Sequence, residues 1–334
     1  MNISRRMMLL AAASAVSISA FALPGAMPSQ AAELKKVTVR LAFSYNGHRS
    51  PYLLGVDKGF YKEAGLDVQV LEGRGVSSSM QLVASQQDTF AVVDPPSLML
   101  GVAQGMNIKQ VAQLYQKSPN AVISWPEANI NSPADLKGKK VASLQGDMTT
   151  TMLYALLAKN GIPATDVQII ASDGGTRNQT FLAKRTEAIT GFPNDTLMSL
   201  SAASGQQLNH FTYAQFGVET MGDGLATHQD NIKNDPEMVK AFVKASLRAY
   251  EYALANPEES ITALKARSPN INYDVEVNKL KATAVLLETG SADVKPGTSV
   301  ESRWADTQAL MKEFGGLKTD ITDVKTYYTN DFVN

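Results

Sequence analysis

The chain has 334 residues, 44% of them hydrophobic, a formal net charge of −1, no cysteine and three histidines, His48, His210 and His228. That length accommodates two domains with sizeable cores, and the near-neutral charge supplies no field to recruit nucleic acid or an anionic membrane. The missing cysteines exclude disulfides, thiolate metal sites and cysteine nucleophiles, and no two histidines have ligand spacing, so neither a metal nor another cofactor is expected.

The first residues, "MNISRRMMLLAAASAVSISAFALPGAMPSQAAE", combine a basic start, an apolar run from Met7 to Leu23 and a small-x-small site at Ser29-Gln30-Ala31. This is the build of an export signal cleaved near Ala31, too short and too soon followed by cleavage residues to span a membrane. Ser4-Arg5-Arg6-Met7-Met8-Leu9 resembles a twin-arginine signal without its usual lysine, so twin-arginine and general secretory export both stand. No cysteine follows for lipid attachment. The mature chain is expected to be a soluble periplasmic protein that does not span the membrane.

From there, short β-rich runs alternate with helical segments, the pattern of an α/β protein with mainly parallel sheets. "KVTVRLAF" reads as a strand, and "SPYLLGVDKGFYKEAG" as one amphipathic helix with Pro51 near its start and Gly65 at its end. "LDVQVLE" is a strand. "SSSMQLVASQQ" is a helix that Ser77 or Ser78 would cap. "TFAVVD", stopped by Pro95-Pro96, is a strand, "SLMLGVAQG" a helix and "IKQVAQLYQ" a strand. The cycle then restarts through strands "NAVISW", "KKVASLQ", "VQIIAS" and "EAITGF", with helices "DMTTTMLYALLAKNG", "TRNQTFLAKR" and "NDTLMSLSAASG". No strand is assigned between Gly205 and Asn234. Beyond Asn234 the character changes to long helices, broken near Pro257, whose apolar stripes require packing back on the first lobe. Chain crossings near Lys117 and from Phe216 to Thr227 would join two lobes, with a cleft lined by the carboxyl ends of their strands.

The stretch Leu71 to Asp94 holds Gly73-Arg74-Gly75 between a strand and a helix, with Asp94 ending the next strand. A dinucleotide-binding reading is weakened by Ser78 at the third glycine position and by the loop following the second strand. A triphosphate loop fails, since no Gly-Lys-Ser/Thr follows, and there is no Gly-x-Ser-x-Gly elbow for a hydrolase. Asp94, Asp147, Asp173 and Asp195 each end or follow a strand and, taken singly, read as helix caps or turn residues. Taken with their neighbours they mark loops that would face one cleft. Those loops contribute Tyr45, Asn46, His48, Arg74, Ser77, Ser78 and Asp94 from the first lobe. Gln145, Asp147, Thr149, Phe192, Asn194 and Asp195 come from the second. This mixture suits reversible binding. Trp125 and Trp304 read as packing residues.

At this point "GVDKGFYKEAGLDVQV" resembles the segment of periplasmic solute-binding proteins of ABC importers that usually reads A-x-x-K-G-F-Y-K-E-x-G-L-D-V. "EGRGVSSSMQLVASQQDTFAVVD" is similar to that family's Gly-rich loop, helix and strand entry, with Gln86 where glycine is usual. "SPADLKGKKVASLQGD", "FLAKRTEAITGFPND", "ANPEES" and "YYTNDF" follow in the family's order, with Glu187 where aspartate is frequent. The resemblance covers essentially the whole mature chain. It points to the branch that binds thiamine pyrimidine precursors, riboflavin-like heterocycles, alkanesulfonates, taurine and nitrate. "GDGLATHQDNI" and "YYTNDF" look most like the thiamine-precursor type. The resemblance implies the two-lobed periplasmic binding protein fold (type II), with residues 32–117 and 225–334 in one lobe and 118–224 in the other. It further implies a monomer that closes over one small-molecule ligand and serves an ABC permease and its ATPase, or a sensor in their place.

Two ligand classes fit the residues. A flat heteroaromatic ring would stack on Tyr45 and Phe192 while Asp94, Asn194 and Asp195 meet ring or exocyclic nitrogens. An organic anion, sulfonate, taurine or aromatic carboxylate, would instead pair with Arg74 and take hydrogen bonds from Ser77, Ser78 and the helix start. From another class, an enzyme that has reused the fold, Rossmann-like or pyrimidine-synthesising, would reveal itself by turnover.

Overall fold

The structure, a computed structural model, describes residues 33–333; the expected export signal lies outside them. The chain builds one sheet from β1 (Lys35–Arg40), β2 (Leu66–Leu71), β3 (Phe90–Val93) and β4 (Ile108–Gln113). It crosses over to make a second from β5 (Ala121–Ser124), β6 (Lys140–Leu144), β7 (Gln168–Ser172), β8 (Ala188–Gly191) and β9 (Asn209–Thr212). Then it returns to the first as β10 (Gly224–His228). The orders are β2-β1-β3-β10-β4 and β7-β6-β8-β5-β9, the same topology built twice.

Each sheet is mixed. β1 pairs in parallel with β2 and β3, and β6 with β7 and β8, while β10 and β5 are antiparallel to both of their neighbours. The reversed strand is in each case the one that enters its sheet from the other lobe. It starts at the edge where the other strands end, Gly224 opposite Val93 and Ala121 opposite Gly191, and has to run away from it. The central strands β3, β5, β8 and β10 are buried along their whole length. β2 alternates buried and exposed residues, as expected of a strand at an edge.

Helices α1 (Ser50–Asp57), α2 (Phe60–Glu63), α3 (Val76–Ala84) and α4 (Pro95–Ala103) belong to the first lobe; α5 (Met148–Lys159), α6 (Gly174–Leu182) and α7 (Met198–Ser204) belong to the second. After β10 come α8 (Gln229–Asn234), α9 (Pro236–Ala255), α10 (Pro257–Lys265), α11 (Tyr273–Leu287) and α12 (Glu301–Glu313). The expected single helix over Ser50–Gly65 is two, because Gly59 adopts a left-handed φ of 76° that breaks the hydrogen-bond ladder. The expected serine cap on α3 is also absent: Gly75 is the N-cap, and the Ser78 hydroxyl donates back to its carbonyl at 2.9 Å.

The helical tail packs on the first lobe as its apolar stripes require. Phe242 of α9 stacks on Phe90 of β3 at 4.0 Å and on Tyr61 of α2 at 5.5 Å. The last residues extend the sheet edge, Gln110 donating to the Tyr327 carbonyl and Thr329 to the Gln110 carbonyl, each at 2.9 Å. Trp304 is fully buried against Tyr328 and Trp125 is stacked on Phe181 at 4.7 Å, so both tryptophans are packing residues.

Candidate functional site

The two crossing segments run side by side. Ser118 donates to the Thr220 carbonyl at 2.8 Å, Gly222 to that of Tyr115 at 3.0 Å and Tyr213 to that of Asn120 at 2.9 Å. Against this paired hinge lies a narrow cavity of about 40 Å³, room for a few water molecules. Its walls come from strand ends and helix starts of both lobes. Phe43, His48, Arg49 and Asp94 stand on one side, Asp147, Thr149, Phe192 and Asn194 on the other, and Tyr115, Thr220 and Asp223 at the hinge. A volume of that size is too small for a ring.

The local sequence explains each placement. Asp94 and Asp147 are the N-caps of α4 and α5, accepting from the backbone N–H of Ser97 at 2.9 Å and of Thr149 at 2.8 Å. Both acids are thus helix caps, as each reads singly, and both line the cavity between the lobes. His48 sits in the 3₁₀ turn Gly47–Arg49, which packs against α11 so closely that a Cβ on Gly47 would lie 2.1 Å from the Glu276 carbonyl oxygen. Phe192 and Asn194 begin a π-helical turn, Pro193–Leu197, that leads into α7.

The electrostatics favour a ligand that donates. Burial pushes the Asp94 carboxyl up to about 6 in spite of its hydrogen bonds from Ser97, and burial also raises Asp223, which Arg49 only partly offsets. Arg49 is buried, with Nη2 3.6 Å from Asp223 Oδ2 and its Nε unpartnered. Burial, aided by Arg49, lowers His48 to about 3, so the imidazole is neutral, and its Nδ1 is unpartnered. The Asn194 carbonyl oxygen is buried without a partner as well.

Beyond Phe43, Val76, Asp147 and Met148 the cleft widens into an open mouth of about 740 Å³, lined by Arg74, Ser77, Ser78 and Gln145 among others. These four expected residues thus stand at the entrance. The Gly-rich loop is shaped by packing more than by a ligand. A Cβ on Gly73 would fall 2.0 Å from the Leu41 carbonyl oxygen, and Gly75 donates to the Ala42 carbonyl at 2.8 Å.

Three expected residues do not line the cavity. The Tyr45 hydroxyl donates to the Val70 carbonyl at 2.7 Å, which carries the ring onto the first lobe's core. Asn46 is the N-cap position of the 3₁₀ turn. Asp195 Oδ1 pairs with Lys279 Nζ of α11 at 2.9 Å, an ion pair behind the cavity wall. Phe43, two residues before Tyr45, takes the aromatic position at the cavity. Arg49 falls in the loop after β1 that the sequence turns toward the cleft, and Asp223 in the quoted stretch GDGLATHQDNI, but neither stood out there as a site residue; Tyr115 lies on a crossing with no motif of its own.

Among the described residues no group of three or more His, Asp or Glu could hold a metal, and no helix is long and apolar enough to cross a membrane. A family model described as "NMT1/THI5 like" matches residues 46–260. The chain belongs to the NMT1/THI5-like family. Similar relatives of this family member include the riboflavin-binding protein RibY of Chloroflexus aurantiacus, 26% identical over 93% of this chain and 90% of the relative. The formylaminopyrimidine-binding protein of Halalkalibacterium halodurans is 23% identical over 76% and 78%. A relative from Legionella pneumophila, 23% identical over 71% and 75%, is named 4-amino-5-hydroxymethyl-2-methylpyrimidine phosphate synthase. Among solved structures, the alkanesulfonate-binding protein SsuA of Xanthomonas axonopodis pv. citri superposes with a TM-score of 0.69 over 90% of this chain and 99% of that one, at 14% identity. That likeness shows the periplasmic binding protein fold, in agreement with the two-lobed α/β architecture.

Proposed function

We propose that this NMT1/THI5-like protein is a periplasmic solute-binding protein that captures a flat nitrogen heterocycle between its lobes and delivers it to an ABC permease. The observation that carries the ligand class is the charge of the cavity: Asp94, Asp147 and Asp223 face one arginine, Arg49, which Asp223 already engages. An anion entering there would meet three carboxylates, whereas ring or exocyclic N–H groups would find acceptors. Phe43 and Phe192 offer faces to a ring. The names of the riboflavin- and formylaminopyrimidine-binding relatives support the same class. Arg74 stands at the mouth, which weakens the anion reading. Residues 32–117 with 225–334 and residues 118–224 would be the bodies that part and close, and the export signal would place the protein in the periplasm.

A pyrimidine-converting enzyme is the second reading, supported by the name of the Legionella relative. The cavity supplies little for it: a histidine lowered to about 3 is too weak a base to hold a proton near neutral pH. Calorimetric titration of Asp94→Ala, well below its melting temperature, tests the ligand class. Loss of heterocycle binding with no loss toward alkanesulfonates is expected; retained heterocycle affinity would overturn the reading, and turnover of the ligand would establish the enzyme.

A further inference from the structure

Asn194 reaches the cavity from the second lobe, but its amide is held from the first. Its Nδ2 donates to Thr283 Oγ1 of α11 at 3.1 Å. Thr283 is fully buried, and its own hydroxyl donates to the Lys279 carbonyl at 2.8 Å, one helical turn back. With its proton committed there, Oγ1 can only accept, so the NH₂ of Asn194 must face α11 and the carbonyl must turn the other way. That carbonyl oxygen is buried with no partner, on a residue that lines the cavity.

The neighbouring contacts hold the two elements together. Lys279 Nζ lies 2.9 Å from Asp195 Oδ1, adjacent to Asn194, and 2.6 Å from Glu276 Oε1, and Glu276 in turn accepts from the Gly47 N–H beside His48. Burial pulls the Lys279 ammonium down, but the two carboxylates outweigh it and hold it charged. The frame around the Asn194–Thr283 bond is thus built from both lobes.

We infer that Thr283 is a positioning residue that sets ligand specificity: it fixes Asn194 as a hydrogen-bond acceptor, so the ligand edge meeting Asn194 must carry an N–H donor. An edge with an acceptor there leaves two buried acceptors face to face, each without a donor. This rests on the reading of the cleft as a heterocycle site, and it names which edge of the ring the second lobe selects. Asn194 follows β8 in the second lobe and Thr283 lies on α11 of the tail, so the bond that orients the amide joins the two behind the cavity wall.

Two measurements test it, the first without any ligand. The side-chain NH₂ signals of Asn194, assigned by their loss in Asn194→Asp, should exchange slowly with solvent in the protein. Thr283→Val, of equal shape but with no acceptor, should speed that exchange at least tenfold, and Thr283→Ser should restore it. Unprotected signals in the unaltered protein, or protection unchanged in Thr283→Val, would overturn the inference whatever the ligand. The second measurement compares Kd for 4-aminopyrimidine and 4-methoxypyrimidine. The preference for the amino compound, Kd of 4-methoxypyrimidine over Kd of 4-aminopyrimidine, should fall at least tenfold in Thr283→Val and persist in Thr283→Ser, whereas an equal loss for both probes would mark a structural role and contradict the inference. If the exchange result holds and neither pyrimidine binds any variant, the heterocycle reading fails and the orientation of Asn194 stands.

Discussion

Gln86 has a φ of 58°, the left-handed region that a side chain makes costly and glycine does not, and it is exposed at the turn after α3. The glycine usual at this place in the family resemblance therefore has a backbone cause. Gln86→Gly should raise stability by about 0.5–1 kcal/mol in urea unfolding; a loss would mean that its hydrogen bond to Asp230, at 3.3 Å, outweighs the strain. Asp94 gives a pH signature. Its carboxyl, raised by burial to about 6 from an ordinary 3.8, binds more protons folded than unfolded between those values. Its contribution is fully present below the unfolded pKa and is lost as pH rises through about 6. Asp94→Asn keeps an acceptor for the Ser97 N–H, so its melting temperature relative to the unaltered protein should climb from pH 4 to pH 7; a constant difference would contradict the burial. Residue types were legible here and environments were not. Asp94, Asp147 and Asn194 stood out as polar residues after strands, but nothing local distinguishes Phe43 at the cavity from Tyr45, whose hydroxyl is drawn away by Val70.

At the scale of elements, α9 is what fastens the tail to the first sheet. Phe242, stacked between Phe90 and Tyr61, fills the layer between them, and Phe242→Ala should cost about 3–5 kcal/mol in chemical denaturation. A cost below about 1 kcal/mol would show that this layer repacks. The long helices and the βα cycles were readable because an amphipathic period over many residues is a strong signal. β9 and β10 were not. They are four and five residues long, and β10, "GLATH", is buried throughout and shows no alternation. Their omission also hid the mixed character of the sheets, because the reversed strand is fixed by where the chain re-enters a lobe and not by its composition.

Across the whole molecule, the restart of the βα cycle foretold two lobes, and the apolar stripes of the long closing helices foretold a tail that returns to the first. The two crossings, near Lys117 and from Phe216 to Thr227, were also legible; what no linear reading gives is their pairing, Ser118 with Thr220 and Gly222 with Tyr115. The cavity with Arg49 and Asp223 exists only because those segments pair. One measurement bears most directly on the account: a thermal-shift panel on protein unfolded and refolded to strip carried-over ligand, with aminopyrimidines and flavins set against alkanesulfonates, taurine and nitrate. A ligand at about a hundred times its Kd adds about 2.7 kcal/mol to the folded state, a clear rise in Tm. The account predicts that rise from heterocycles bearing N–H donors and none from the anions; a rise from sulfonates or nitrate alone would contradict it.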